Sequence, residues 1–236
     1  MGKLDDKIVV VTGGSRGIGL AIARACGREG AKLVLAARDP KALRRAASQI
    51  PGGALAVAAD VTRPKAVDRL FRKVREQYGR LDVLVNNAGV FTYKPFVRTT
   101  LEDWRKNIET NLTSLFLTTR AALPLFRRSL APHLVNILSI SSLRGFPNCS
   151  AYSASKFGAL GLTRVLAEEL RSRRVRVTAV LPGPTDTRMV VEFDFPVERN
   201  GLIQPQDVAE AVVGALLQPP RTTTEQIVLM PFKGRL

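Results

Sequence analysis

At 236 residues, 45% of them hydrophobic, the chain can bury the core of one α/β domain spanning 1–236, and with no run near the roughly 18 to 20 apolar residues of a membrane span, no membrane partner and a cytoplasmic location are expected. Two isolated cysteines, Cys26 and Cys149, and one histidine, His133, exclude a disulfide framework and leave almost no ligands for zinc, so no metal is expected. The net charge of +16 could suit a nucleic acid, but the arginines fall in small clusters, at Arg44 and Arg45, Arg127 and Arg128, and Arg171 to Arg176, with no aromatic-interleaved basic tract, so solvated surface is the first reading.

In chain order, apolar β-branched runs predict strands at 8–12, 32–37, 54–59, 82–86, 134–140, 176–181 and 226–230. None alternates with polar residues, as expected of strands covered on both faces. Amphipathic segments between them predict helices at 17–28, 40–49, 64–78, 101–128, 152–172 and 205–218. Pro124 should kink or interrupt the fourth, since it cannot donate its backbone hydrogen bond. Strand-helix alternation of this kind gives βαβ crossovers: a Rossmann-type, doubly wound parallel sheet of about seven strands with helices on both faces.

The first strand runs into Thr12-Gly13-Gly14-Ser15-Arg16-Gly17-Ile18-Gly19 and then a helix rich in Ala and Ile. Glycines let a phosphate approach the backbone, and the unpaired amides of a helix N-terminus attract its charge, so this turn predicts a dinucleotide site. The second strand ends Leu35-Ala36-Ala37-Arg38, where an acid would hold the ribose hydroxyl of NAD. No acid comes before Asp39, whereas Arg38 and Arg16 together can clamp a 2′-phosphate, which favours NADP(H) over NAD. Exchanging Ala37 for Asp and Arg38 for a neutral residue should invert that preference.

Tyr152-Ser153-Ala154-Ser155-Lys156 puts Tyr152 and Lys156, four residues apart, on one helical face. A neighbouring ammonium stabilises phenolate, so Lys156 is expected to lower the pKa of Tyr152. The two do not stand alone. The glycine turn, Asn86-Asn87-Ala88-Gly89, Asn111, Ser139, Tyr152 to Lys156, and Pro182-Gly183 with Thr187 follow in an order that resembles the short-chain dehydrogenase/reductase family over essentially the whole chain.

That resemblance implies an enzyme reducing a ketone or aldehyde to an alcohol, or the reverse, by nicotinamide hydride transfer. Tyr152 would be general acid or base, Lys156 would tune it and bind the nicotinamide ribose, Ser139 would steady the substrate oxygen, and Asn111 would hold a relay water. Gly13, Ser15, Arg16, Gly17, Ile18 and Gly19 would surround the pyrophosphate, and Asp60 and Val61 the adenine. Asn87, Ala88 and Gly89 would support the cofactor, with Pro182, Gly183 and Thr187 at the nicotinamide. Ser139 lies thirteen residues before Tyr152, the family's separation, so Ser139 rather than Ser141 takes the catalytic place and Ser141 or Ser142 becomes a wall or cap.

Substrate choice would fall to the short segment 187–203, where Met189, Val190, Val191, Phe193, Phe195 and Pro196 could form an apolar flap, and to Phe91, Tyr93, Leu143, Phe146 and Cys149 as further pocket surface. The resemblance further implies a homotetramer or homodimer built on helices 101–128 and 152–172. A carbonyl reductase acting on a small molecule leads. A 3-oxoacyl-carrier-protein reductase is the alternative, its basic surface around Arg127, Arg128, Arg171, Arg173 and Arg174 receiving an acidic carrier. A noncatalytic dinucleotide-binding or nucleic-acid-associated protein is the remote third.

Overall fold

The sequence Ile-Val-Val-Val-Thr forms β1 (Ile8–Thr12), buried from end to end because helices cover both faces of it. Successive side chains point opposite ways: Val9 and Val11 join a core with Ile22, Leu33, Leu35 and Val212, while Ile8 and Val10 join a second core with Leu70, Leu84, Phe126 and Leu134. The computed structural model describes residues 2–191, 201–219 and 221–232.

The strands β1, β2 (Lys32–Ala37), β3 (Ala54–Ala58), β4 (Val83–Asn86), β5 (His133–Ile137), β6 (Arg176–Pro182) and β7 (Gln226–Leu229) make one parallel sheet, ordered β3-β2-β1-β4-β5-β6-β7. The chain builds outward from β1 to β3, then crosses back and builds the other way from β4. The reversal between β1 and β4 opens a crevice at the carboxyl ends of the strands, where open α/β sheets bind ligands.

The helices are α1 (Gly17–Arg28), α2 (Pro40–Ala47), α3 (Pro64–Tyr78), α4 (Leu101–Ile108), α5 (Ser114–Phe126), α6 (Ser150–Arg171), α7 (Arg188–Val191) and α8 (Pro205–Leu216). Prolines at the first position start α2, α3 and α8, where the missing amide costs nothing. Asp39 caps α2 by accepting from the amides of Lys41 and Ala42 at 2.8 and 3.1 Å. Thr100 and Asp103 form a capping box on α4.

Two expectations are corrected. The helix at 101–128 is interrupted at Glu109–Thr113, a π-helical turn joining α4 to α5, and Pro124 sits inside α5 without ending it. So close to the helix end, Pro124 deprives a single carbonyl of its partner, while the extra residue of the π turn resets the helix upstream. The strand at 134–140 stops at Ile137: Leu138 donates once more to the Val180 carbonyl (2.7 Å), and the chain then rises through extended Ser139 into a single 3₁₀ turn, Ile140–Ser142.

The variable segment is closed at its base. Thr185 and Ile203 pair as a parallel bridge, with Asp186 N donating to Ile203 O (2.8 Å) and Ile203 N to Pro184 O (3.1 Å). Residues 192–200, with Phe193, Phe195 and Pro196, lie outside the described residues, as do the side chains of Val190 and Val191, and the flap expected there rests on them.

Candidate active site

Thr12, at the end of β1, binds the two halves of the crevice together. Its hydroxyl accepts from the amides of Asn87 and Ala88 at 3.0 and 3.1 Å, and Asn87 Nδ2 donates to the carbonyls of Thr12 (3.0 Å) and Gly13 (3.2 Å). The glycine turn is packed tightly against this post. Gly13 has φ +64°, and a Cβ there would stand 2.9 Å from the Ala88 Cα; Gly17 has φ +54° and faces Thr187, whose Cγ2 would lie 3.4 Å from a side chain at that position.

Beyond the turn, α1 begins with no side-chain cap and no acid in its first turn. Its leading amides and dipole are thus directed at the crevice, a cradle that fits a pyrophosphate. Ser15, Gly17 and Ile18 are partly exposed there, and Gly19 is buried against Asn87. At the end of β2, Arg38 is exposed and Asp39 is occupied in capping α2, which holds its carboxyl below the usual range. Asp60 follows β3. Burial pushes its carboxyl up, but hydrogen bonds from the Thr62 hydroxyl (2.8 Å) and amide (3.0 Å), with the charges of Arg38 and Arg63, bring it below the ordinary value. Val61 is buried in the core beside it.

Ser139, Tyr152, Lys156 and Asn111 come together at the carboxyl ends of β4 and β5. Extended Ser139 caps its own 3₁₀ turn, its Oγ accepting from Ser141 N at 3.1 Å, and it is hydrogen-bonded to the Tyr152 phenol. Tyr152 packs edge-on against Phe91, ring centroids 4.7 Å apart. One turn on, buried Lys156 donates from Nζ to the Ile137 carbonyl at 3.1 Å and stands 5.7 Å from the Tyr152 ring centre. Asn111 sits within the π turn: Nδ2 donates to Val90 O (3.0 Å) and to Ser155 Oγ (2.9 Å), and Oδ1 accepts from Val90 N (2.8 Å). Its side chain fastens the segment after β4, where a Cβ on Gly89 would fall 3.3 Å from Asn111 Oδ1 and 3.9 Å from Lys156 Nζ.

The expected acidic phenol is not what the structure holds. Burial pushes Tyr152 up to about 12, and the Ser139 hydrogen bond offsets only part of that. Burial likewise brings Lys156 down to about 8, because little water remains to solvate its ammonium. Desolvation dominates at both groups, leaving a neutral phenol beside a lysine brought down to about 8.

A polar ladder beneath the site went unforeseen. Asn86 and Asn136, register partners on β4 and β5, are joined at 3.0 Å; Asn86 also donates to Thr119 (3.1 Å) and accepts from Thr118 (2.7 Å), and Asn136 donates to Thr163 (3.0 Å). The sequence signal was an asparagine standing near the end of each of two mostly apolar strands. His133, by contrast, is a fully buried residue at the opposite end of β5; desolvation, aided by Arg176, takes its pKa down to about 3 and keeps it neutral. Among the described residues no cluster of three or more potential metal ligands occurs, and no helix is long and apolar enough to cross a membrane.

A short chain dehydrogenase profile matches residues 7–195. Uncharacterised oxidoreductases of Staphylococcus aureus (strain MRSA252) and Staphylococcus saprophyticus are 37% and 34% identical, the alignments covering 97% and 98% of this chain and 98% and 100% of theirs. Three solved structures share the fold over 98% of this chain and at least 99% of theirs. They are a metagenomic short-chain oxidoreductase in complex with NADP (34% identity, TM-score 0.85), an alcohol dehydrogenase of the archaeon Thermococcus sibiricus complexed with 5-hydroxy-NADP (31%, 0.91) and a 3-ketoacyl-(acyl-carrier-protein) reductase of Brucella melitensis complexed with NADH (28%, 0.90). Relatives above 30% identity that the chain spans almost end to end, together with a family match over most of its length, make this protein a member of the short-chain dehydrogenase family, and with that an oxidoreductase.

Proposed function

We propose that the protein reduces a carbonyl to an alcohol with NADPH, or runs the reverse reaction with NADP⁺, using Tyr152 as the proton donor or acceptor. The observation that carries this reading is the hydrogen-bonded Ser139 and Tyr152 pair beside buried Lys156, set at the crevice between β1 and β4. When bound, the nicotinamide supplies or accepts the hydride. Ser139 donates to the substrate oxygen, Tyr152 delivers its proton there as charge develops, and Lys156 restores that proton while its ammonium steadies the phenolate. A phenol kept neutral up to about 12 is in the form that reduction needs.

For the cofactor, the uncapped start of α1 with Ser15 to Gly19 would hold the pyrophosphate, and Thr187, Pro182 and Gly183 would meet the nicotinamide end. The preference for NADP(H) rests on exposed Arg38 and Arg16 and on the engagement of Asp39 with α2, and two of the three neighbours cited carry NADP or a derivative of it. Self-assembly through α4, α5 and α6 is supported by exposed Phe116, Phe157 and Val165 on α5 and α6.

The test is NADPH consumption over diketones, quinones, aldehydes and 3-oxoacyl thioesters. A Tyr152→Phe variant should bind NADPH and lose about 10²- to 10⁴-fold in turnover; turnover equal to the parent's would overturn the reading. The Brucella neighbour favours a second reading, reduction of 3-oxoacyl chains on an acidic carrier, which predicts competition by free carrier protein.

A further inference from the structure

Five residues past Ser139 the chain places Arg144 with an unusual deficit. Its Nε and Nη2 are buried, and among the described residues neither has a hydrogen-bond acceptor. Buried guanidinium donors without partners are costly, more so than neutral ones, because they forgo water and gain nothing in return. The two atoms also form one edge of the guanidinium, the side-on fork that grips the two oxygens of a carboxylate.

The rest of the setting agrees. The face of the guanidinium lies over the Phe146 ring, Cζ 4.8 Å from its centre, so the face is satisfied and the edge is what is left. Arg144 lines a hollow of about 350 Å³ with Ile140, Leu143 and Met230. Ile140 follows Ser139 directly, and Met230 Sδ would lie 3.1 Å from a Cβ on Gly183, at the end of β6. The hollow therefore adjoins Ser139 on one side and the end of β6 on the other, where a substrate held by Ser139 would extend. Apolar walls with one cation suit a short hydrocarbon link ending in an acid.

We propose that Arg144 reads a carboxylate on the substrate, so that the enzyme interconverts oxo acids and hydroxy acids. In the reducing direction the carbonyl carbon would accept a hydride from NADPH and the carbonyl oxygen a proton from Tyr152, while the carboxylate held by Arg144 stays unchanged; the products would be the hydroxy acid and NADP⁺. This rests on the carbonyl-reductase reading above. The proposal requires half-buried Phe146 to turn aside, so that an incoming acid can reach the sheltered edge.

The experiment compares acetoacetate and levulinate with their methyl esters and with the phosphonates of equal length, in the parent, Arg144→Met and Arg144→Lys. The parent should favour a carboxylate over its ester by about tenfold or more in kcat/KM, mostly through KM, since one charged fork is at stake. Arg144→Met should lose that preference while reducing the esters at the parental rate, and Arg144→Lys should recover part of it. Equal use of acid and ester by the parent, or an undiminished preference in Arg144→Met, would overturn the proposal; a preference for phosphonates would overturn the carboxylate assignment. A second measurement titrates benzoate and benzamide into the NADPH complex by calorimetry. Benzoate should bind about tenfold more tightly than benzamide to the parent and no better to Arg144→Met. Should no carbonyl be reduced while benzoate is still selected through Arg144, the reductase reading fails and the anion site stands; reduction of esters without selection of benzoate is the converse.

Discussion

Lys156 is the residue whose charge the fold makes hardest to keep. With its pKa brought from 10.5 to about 8, it is losing its proton just above neutrality, while Tyr152 keeps its own to about 12. Carbonyl reduction needs both protons, so kcat should hold level below pH 8 and fall as pH rises through about 8; a fall that begins only near 10 would contradict this. The same depression bears on stability. The unfolded chain holds the lysine proton to its ordinary value, so between about 8 and 10.5 the unfolded state binds more protons and the protein gains stability with rising pH. Above 10 the raised Tyr152 works in the opposite sense, the unfolded phenol ionising before the folded one. Lys156→Met should then be inactive yet more stable than the parent at neutral pH by about 1–2 kcal/mol in urea unfolding, the mark of a group retained for function.

Elements marked by backbone chemistry were legible to the residue. Helices 17–28 and 64–78 were expected where they occur, because a glycine turn and a first-position proline announce their starts. The π turn was not, since one inserted residue leaves the helical pattern of apolar side chains nearly intact on either side while rotating Asn111 toward the Val90 backbone. The end of β5 was missed for a similar reason: Leu138 and Ile140 continue the apolar run after the ladder has ended, and only the bond pattern shows Ser139 lifted out of it. The asparagine ladder connects β4 and β5 to α5 and α6 with each amide paired. Asn136→Ala leaves one amide hydrogen of Asn86 without its acceptor, the other still going to Thr119, and should lower unfolding free energy by about 2–3 kcal/mol. A value within about 0.5 kcal/mol of the parent would show that the ladder matters little to stability.

For the molecule as a whole, strand-helix alternation made the doubly wound parallel sheet legible, and the spaced motifs singled out the residues that the fold gathers around Tyr152. The pKa of Tyr152 could not be anticipated, since it depends on how much water the packed site excludes, which no spacing encodes. Nor could the use of Arg144, whose role depends on which acceptors the fold withholds from it. Assembly belongs to this scale as well. Phe116 and Phe157 are 44% and 46% exposed on α5 and α6, and Phe157→Glu should shift the sedimenting species to a lower mass with an unchanged circular dichroism spectrum; a parent that sediments as a monomer would dismiss such contacts. Finally, the bridge between Thr185 and Ile203 means that everything threaded between them begins and ends at one place on the scaffold. Lengthening or rewriting that excursion costs little closure entropy and disturbs no strand, so the chain carries an exchangeable cassette anchored just beyond β6, and one scaffold can take differing inserts there without being refolded.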